Sequence, residues 1–335
     1  MAKKYDVSGI GSALLDITFH VDDEMLKELG LVKGNMTLID SKQGKEILSK
    51  LKNKSSIISP GGSSSNTLAG VSSLGGKTLF FGKIGNDEFG NIYNEKTLEE
   101  QVSPELSKHD LSETGYAITF ITPDLERTFA TNLGASIFFS VKDLVEDKIK
   151  DSSILHLEGY QIEGEETRNT LLKAIEIAKK NNTLVSMDLS DSGVIKRHLD
   201  FLKDLIKNSI DIVFVNEMES LALTGKSELE SLEELSKLCD VAIVKLGKDG
   251  SLIKSKDKTY KIEPNKVSVV NTNGAGDMYA AGILYGISNG FDLETAGKLA
   301  SFASSQVVAS SGARLDRTKK EELQKFLKKI QSSSL

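Results

Sequence analysis

Leu184-Val185-Ser186-Met187-Asp188, Ile212-Val213-Phe214-Val215 and Ala242-Ile243-Val244-Lys245-Leu246 are short aliphatic or β-branched runs. Helical patterns over about 192–207 and 217–238 separate them. A similar run at 154–157 precedes a helical pattern at 165–180. Short apolar runs without alternation suit strands buried on both faces. Such strands alternating with helices predict a mostly parallel sheet with right-handed crossovers. The stretches 251–254 and 259–262 predict an antiparallel hairpin at its far end.

The N-terminal half is less regular. Strands are predicted at 5–10, 36–39 and 78–81, and helices at 22–29, 42–51, 65–74 and 88–101. An apolar stretch at 13–21 is interrupted by Asp16. The segments 59–66 and 82–87 read as a loop and a turn, and 116–122 with 127–131 as a hairpin around Pro123-Asp124. Helices near 275–289, 292–310 and 318–330 close the chain, with Ser332-Ser333-Ser334 as a frayed end.

With 335 residues the length suggests about two domains or one large domain with an insert. No repeat or long linker interrupts the chain, which favours one domain over 1–335. Basic residues number 42 against 48 acidic, a net charge of −6, so a nucleic-acid polymer is not an expected partner. A single cysteine, Cys239, excludes an internal disulfide and fits a cytoplasmic location. The first residues lack the apolar run of a signal peptide, and no run is long enough to span a membrane.

Four segments carry chemistry. In Asn271-Thr272-Asn273-Gly274-Ala275-Gly276-Asp277 a small-residue turn opens an apolar helix. Unpaired N–H groups and the helix dipole there make an anion site. Asp277 stands beside it as a candidate general base for phosphoryl transfer to an alcohol. In Gly61-Gly62-Ser63-Ser64-Ser65-Asn66 the glycines permit close backbone approach, and Asn66 offers a donor and an acceptor to vicinal hydroxyls. Asn216 and Glu219 follow a strand and share one side of a helical turn, where they could hold waters around Mg²⁺. Asp16 is a carboxylate in an apolar run, either a sugar-hydroxyl acceptor or a residue on a solvated strand face. Each segment alone also has a plain structural reading, as a glycine turn or an acidic helix start.

Together, and in this order along the chain, these segments resemble the ribokinase-like (PfkB) carbohydrate kinases. The segment Gly85-Asn86-Asp87-Glu88-Phe89-Gly90 belongs to the same resemblance, which covers nearly the whole chain. It implies a three-layer α/β/α sandwich with a small β lid formed by parts of about 12–40 and 104–132. It also implies an ATP-dependent kinase acting on a primary hydroxyl. Asp277 would be the base, Gly274, Ala275 and Gly276 the anion hole, and Arg127 a lid residue facing phosphates. Asp16, Ser12, Gly61, Gly62 and Asn66 would bind the acceptor. Lys245, Gly247, Gly250, Thr272 and Asn216 would border ATP, and Asn216 with Glu219 would organise Mg²⁺.

Gly11-Ser12-Ala13-Leu14-Leu15-Asp16-Ile17 and Glu126-Arg127-Thr128-Phe129 are similar to segments of adenosine kinases, and Met187-Asp188-Leu189-Ser190-Asp191 resembles bacterial adenosine kinase-like members. Adenosine is therefore the expected acceptor, with ribose, fructose or a related sugar as the alternative. Ser12 stands where many adenosine kinases have asparagine. K⁺ is a further candidate cofactor, weakened by Asn271, which stands where the family usually has aspartate before threonine. The expected assembly is a monomer or homodimer.

Overall fold

The computed structural model describes residues 3–124 and 126–333. Its strands are β1 (Tyr5–Ile10), β2 (Leu14–His20), β3 (Met36–Leu38), β4 (Ser56–Gly61), β5 (Thr78–Gly85), β6 (Val102–His109) and β7 (Gly115–Ile121). They continue with β8 (Arg127–Asn132), β9 (Ser152–Glu158), β10 (Leu184–Asp188), β11 (Ile212–Asn216), β12 (Val241–Lys245), β13 (Ser251–Ser255) and β14 (Lys258–Ile262). A nine-stranded sheet has the order β14-β13-β12-β11-β10-β9-β1-β5-β6. It is parallel from β12 to β6, and the hairpin β13–β14 adds two antiparallel strands at one edge.

Strand alternation divides the core between the two faces of this sheet. In β11, Ile212 and Phe214 join one buried cluster while Val213 and Val215 join the other. The first cluster takes in the helices Ser63–Ser73, Ala275–Ser288 and Leu293–Val308; the second takes in Glu165–Lys180 and Leu199–Ser209. This is the expected ribokinase-like three-layer α/β/α sandwich. No helix among the described residues is long and apolar enough to cross a membrane.

A second, five-stranded sheet has the order β3-β8-β7-β2-β4. Leu15, Ile17, Phe19, Ile118 and Phe120 on one of its faces are buried with Leu26, Ile47 and Leu51 of the helices Asp23–Glu28 and Ser41–Leu51. Asp16, paired in register with Ser59 and Ala117, lies on the opposite face.

Several local expectations are corrected. Residues 59–61 are not loop but the end of β4, whose Pro60 is tolerated because β4 is an edge strand. The predicted turn at 82–87 is mostly strand, since β5 runs to Gly85 beside the unpredicted β6. Of the range expected to form a lid, 104–109 belongs to the large sheet, and 56–61, outside that range, pairs in the small one. The helix expected at 192–207 is two, Ser192–Arg197 and Leu199–Ser209. That at 217–238 is broken at Gly225, in the left-handed region with φ 72°. It resumes at Glu228, where Ser227 and Glu230 form a capping box. The last helix, Arg317–Ser333, includes Ser332 and Ser333, and Ser334 lies outside the described residues.

Candidate active site

The glycine turn is built at the start of the helix Ala275–Ser288, with Gly274 as N-cap at φ 77°. A Cβ on Gly274 would lie 2.2 Å from the Ala313 carbonyl oxygen, so this position accepts only glycine. Among the described residues the N–H groups of Gly276 and Asp277 have no partner, as the start of a helix requires. The N–H of Ala275 is committed, donating to Thr272 O at 3.3 Å, so the expected anion hole is only partly free. Thr272 itself is exposed.

Asp277 occupies the first turn. Its Oδ1 accepts from Ser63 Oγ at 2.7 Å and its Oδ2 from Asn66 Nδ2 at 3.0 Å. Burial pushes the carboxyl up to about 6, against the pull of these two donors. At neutral pH it is therefore mostly ionised and still close to the optimum for accepting a proton.

Asp16 faces the same space from the small sheet. Burial raises it to about 6 as well, with Arg314 and then Arg127 opposing the shift and Asp277 adding to it. A Cβ on Gly61 would come within 2.6 Å of the Asp16 carboxyl. Gly62, at φ 91°, would place a Cβ 2.2 Å from Ser12 O. Buried Glu158, at the end of β9, joins these two loops by accepting from Ser12 N at 2.8 Å and Ser64 N at 2.9 Å. Gln161 Nε2 reaches both Ser12 Oγ and Glu158.

On the other side, Asn216 and Glu219 form a capping box at the start of Glu217–Thr224. Glu219 accepts from Asn216 N at 2.8 Å and Nδ2 at 2.6 Å. Burial first, then Asp188, pushes Glu219 up to about 7. Lys245 Nζ donates to Asp188 Oδ2 at 2.5 Å. Burial pulls the Lys245 ammonium down, but Asp188 and Glu219 outweigh it and its pKa is raised. A Cβ on Gly276 would lie 3.3 Å from this Nζ, so the lysine stands directly beside the glycine turn. Gly247 and Gly250, both at positive φ, form the turn from β12 to β13. A Cβ on Gly250 would strike Ile262 O at 2.0 Å.

The raised Glu219 has a measurable consequence. The folded protein holds this proton more tightly than the unfolded chain, whose carboxyl titrates near 4.5. The contribution to stability is therefore complete below that value and is lost as pH rises through about 7. Glu219→Gln, neutral throughout, is expected to gain stability relative to wild type between about pH 5 and 8. Thermal unfolding at both pH values checks it, and a pH-independent difference contradicts it.

Arg127 Nη2 donates to Ser311 O at 3.2 Å, bridging the small sheet to the segment that flanks Gly274. Asn271 Nδ2 donates to Ser311 O and Gly312 O at 3.2 and 2.9 Å, and its Oδ1 accepts from Asn273 N. Asn271 thus ties the glycine turn to the segment Ser311–Gly312 through neutral amide bonds. Among the described residues no group of three or more His, Cys, Asp or Glu is placed to hold a metal.

The folded chain therefore gathers Asp277, the glycine turn, Asp16, Asn66, Lys245 and Glu219 around one space. Four residues of this constellation were not anticipated as site residues: Ser63, Glu158, Asp188 and Arg314. Glu158 and Asp188 carried a readable signal, since each ends an apolar parallel strand, where open α/β sheets bind ligands. Ser63 lay inside a segment already singled out, and Arg314 carried no signal.

The mostly parallel sheet, with an acid and a glycine turn at a helix start, has the ribokinase-like arrangement. Residues 35–320 match the model of the pfkB family of carbohydrate kinases, and the chain belongs to that family. It is a phosphotransferase with a hydroxyl acceptor. It is 29% identical over 283 residues to a 5-dehydro-2-deoxygluconokinase of Clostridium perfringens, covering 80% of this chain and 84% of that one. Solved structures similar to it include an adenosine kinase from Sinorhizobium meliloti, at TM-score 0.88 and 32% identity over 96% of this chain and 99% of that one. A probable sugar kinase from Rhizobium etli CFN 42 has TM-score 0.89 and 30% identity over 97% and 99%.

Proposed function

We propose that this protein transfers the γ-phosphoryl group of ATP to the primary hydroxyl of a small sugar or sugar derivative. One observation carries the reading: the Asp277 carboxyl sits beside unpaired helix N–H groups, with a second acid, Asp16, suited to hydroxyls, facing the same space. In this reading Asp277 takes the acceptor proton as the oxygen attacks phosphorus. The N–H groups of Gly276 and Asp277, with Lys245 and Arg127, meet the charge on the transferring group. Asp16, Asn66, Ser12 and the Gly61-Gly62 backbone hold the acceptor.

ATP would lie along the glycine turn, with Thr272, Gly247 and Gly250 at its border. Exposed Val269 and Val270 on the approach to the turn offer apolar surface to its base. Mg²⁺ neutralises phosphate charge when bound. Both Glu219 oxygens are engaged by Asn216, so this pair suits holding the ion's waters rather than binding it directly. K⁺ is not required in this reading, because Asn271 brings a neutral amide where the family resemblance expects a carboxylate. A cytoplasmic setting is supported by the single cysteine.

The sugar reading, the alternative at the sequence level, takes precedence over adenosine because similar curated relatives are named 5-dehydro-2-deoxygluconokinase. The adenosine reading keeps one specific support. Register places Met36, Leu38 and Ile57, all exposed, on the same face of the small sheet as Asp16. An apolar face there suits a heterocyclic base.

ADP release should be followed with 5-dehydro-2-deoxygluconate, ribose, fructose, adenosine, inosine, guanosine and cytidine, each with and without K⁺. Turnover of a sugar without K⁺ is the expected result. Turnover of nucleosides alone would reverse the ranking, and turnover of nothing would remove the reading.

A further inference from the structure

Arg314 lies between the helices Leu293–Val308 and Arg317–Ser333, far in sequence from the residues it meets. Its Nε donates to Asn66 Oδ1 at 3.0 Å and its Nη2 to Ser65 Oγ at 2.8 Å. Asn66 Nδ2 in turn donates to Asp277 Oδ2 at 3.0 Å. The three groups form a line: guanidinium, amide, carboxylate.

A carboxamide is nearly symmetric in shape but not in chemistry. Its oxygen only accepts and its nitrogen only donates. A guanidinium has no acceptor and an ionised carboxylate has no donor. Only one orientation of the Asn66 amide satisfies both neighbours, with the oxygen toward Arg314 and the N–H toward Asp277. Without the guanidinium, Oδ1 would be left in a buried site lacking a donor, and such a group turns to find one. The same guanidinium is the strongest cationic influence on Asp16, ahead of Arg127.

The remaining nitrogen, Nη1, is buried with no hydrogen-bond partner. A buried donor left unpaired costs stability. The placement of this arginine is thus poorly explained by stability alone.

We infer that Arg314 is a positioning residue for phosphoryl transfer: it locks the Asn66 amide so that its N–H stays on the Asp277 carboxylate. The inference rests on Asp277 being the base. Arg314 touches neither the acceptor proton nor the phosphoryl group in this role, and acts through Asn66.

The test uses the full-length protein and a double-mutant cycle of Arg314→Met, Asn66→Ala and the pair together. Arg314→Lys and Asp277→Asn complete the set. ADP release is measured on whichever of 5-dehydro-2-deoxygluconate, ribose, fructose and adenosine wild type turns over fastest. Arg314→Met and Asn66→Ala should each lower kcat about 10- to 100-fold, the scale of a small misplacement. The double variant should be no more than about 2-fold below Asn66→Ala, because both changes remove one interaction.

The acid limb of the pH–rate profile should move to higher pH in both single variants, since losing the amide donor raises Asp277. Asp188 and Lys245 from the large sheet and Asp16 from the small sheet also face this carboxyl and are unchanged in all of these variants. Arg314→Lys should restore part of the rate with a single donor.

Multiplicative losses, or a lowered melting temperature with an unshifted acid limb, would overturn the role. The two readings fail differently. If Asp277→Asn keeps its turnover, the base assignment falls. If Asp277→Asn is inactive while Arg314→Met matches wild type, the base assignment stands and Arg314 has no positioning role.

Discussion

Replacing Asp277 by Asn is expected to lower kcat by about 10³- to 10⁴-fold, the upper range for a general base. The change keeps the size of the side chain and removes the proton acceptor. It also places an amide where Asn66 Nδ2 and Ser63 Oγ now donate to a carboxylate. With its oxygen toward Asn66 Nδ2, that amide can donate its own N–H to the Ser63 hydroxyl, so both neighbours keep a partner. The KM for ATP should stay within about 3-fold of wild type, because the backbone N–H groups at the helix start do not depend on this side chain. Steady-state kinetics with ATP varied at saturating acceptor separates the two constants. A kcat within 10-fold of wild type would remove Asp277 from the chemistry. Wild type itself should lose rate below about pH 6, where the raised carboxyl becomes protonated.

Lys245→Met should produce the largest loss of stability at the site, about 3 kcal/mol at pH 7.5, the scale for breaking a buried ion pair by removing one partner. Lys245 is bound to Asp188, whose side chain is 6% exposed, and Glu219 lies close enough to feel the same cation. Without the ammonium two buried carboxylates face each other unpaired. Protonation then relieves part of the cost, so the deficit against wild type should shrink as pH falls from 7.5 to about 5.5. Denaturant unfolding at both pH values measures this, and an unchanged midpoint at pH 7.5 would refute it. The KM for ATP should also rise, since Nζ stands beside Gly276 where the donor phosphates would lie.

Much of the architecture was legible because the second half of the chain obeys simple rules. Runs such as Ile212–Asn216 are apolar throughout since both faces of a parallel strand are covered, and their spacing leaves room only for helical crossovers. The first half misled where local composition and tertiary role disagree. Residues 59–61 look like the start of a loop because proline and glycine are depleted in strands, yet an edge strand such as β4 tolerates Pro60. Val102–His109 is amphipathic and short of apolar residues because it closes the large sheet as its outermost strand.

By itself the sequence determined the class of fold, the family resemblance and the residue types at the site: an acid at a helix start, a glycine turn, an asparagine–glutamate cap. These are local patterns, fixed by the backbone geometry that each short segment must adopt. Tertiary structure alone decided which charges share a space. Asp277 and Asn66 are 211 residues apart, and Arg314 and Asn66 are 248 apart. Their hydrogen bonds, and the burial that lifts Asp16 and Asp277 to about 6, exist only once both sheets and the C-terminal helices pack. Hydrogen bonding and desolvation act over ångströms in space, and distance along the chain carries no measure of either.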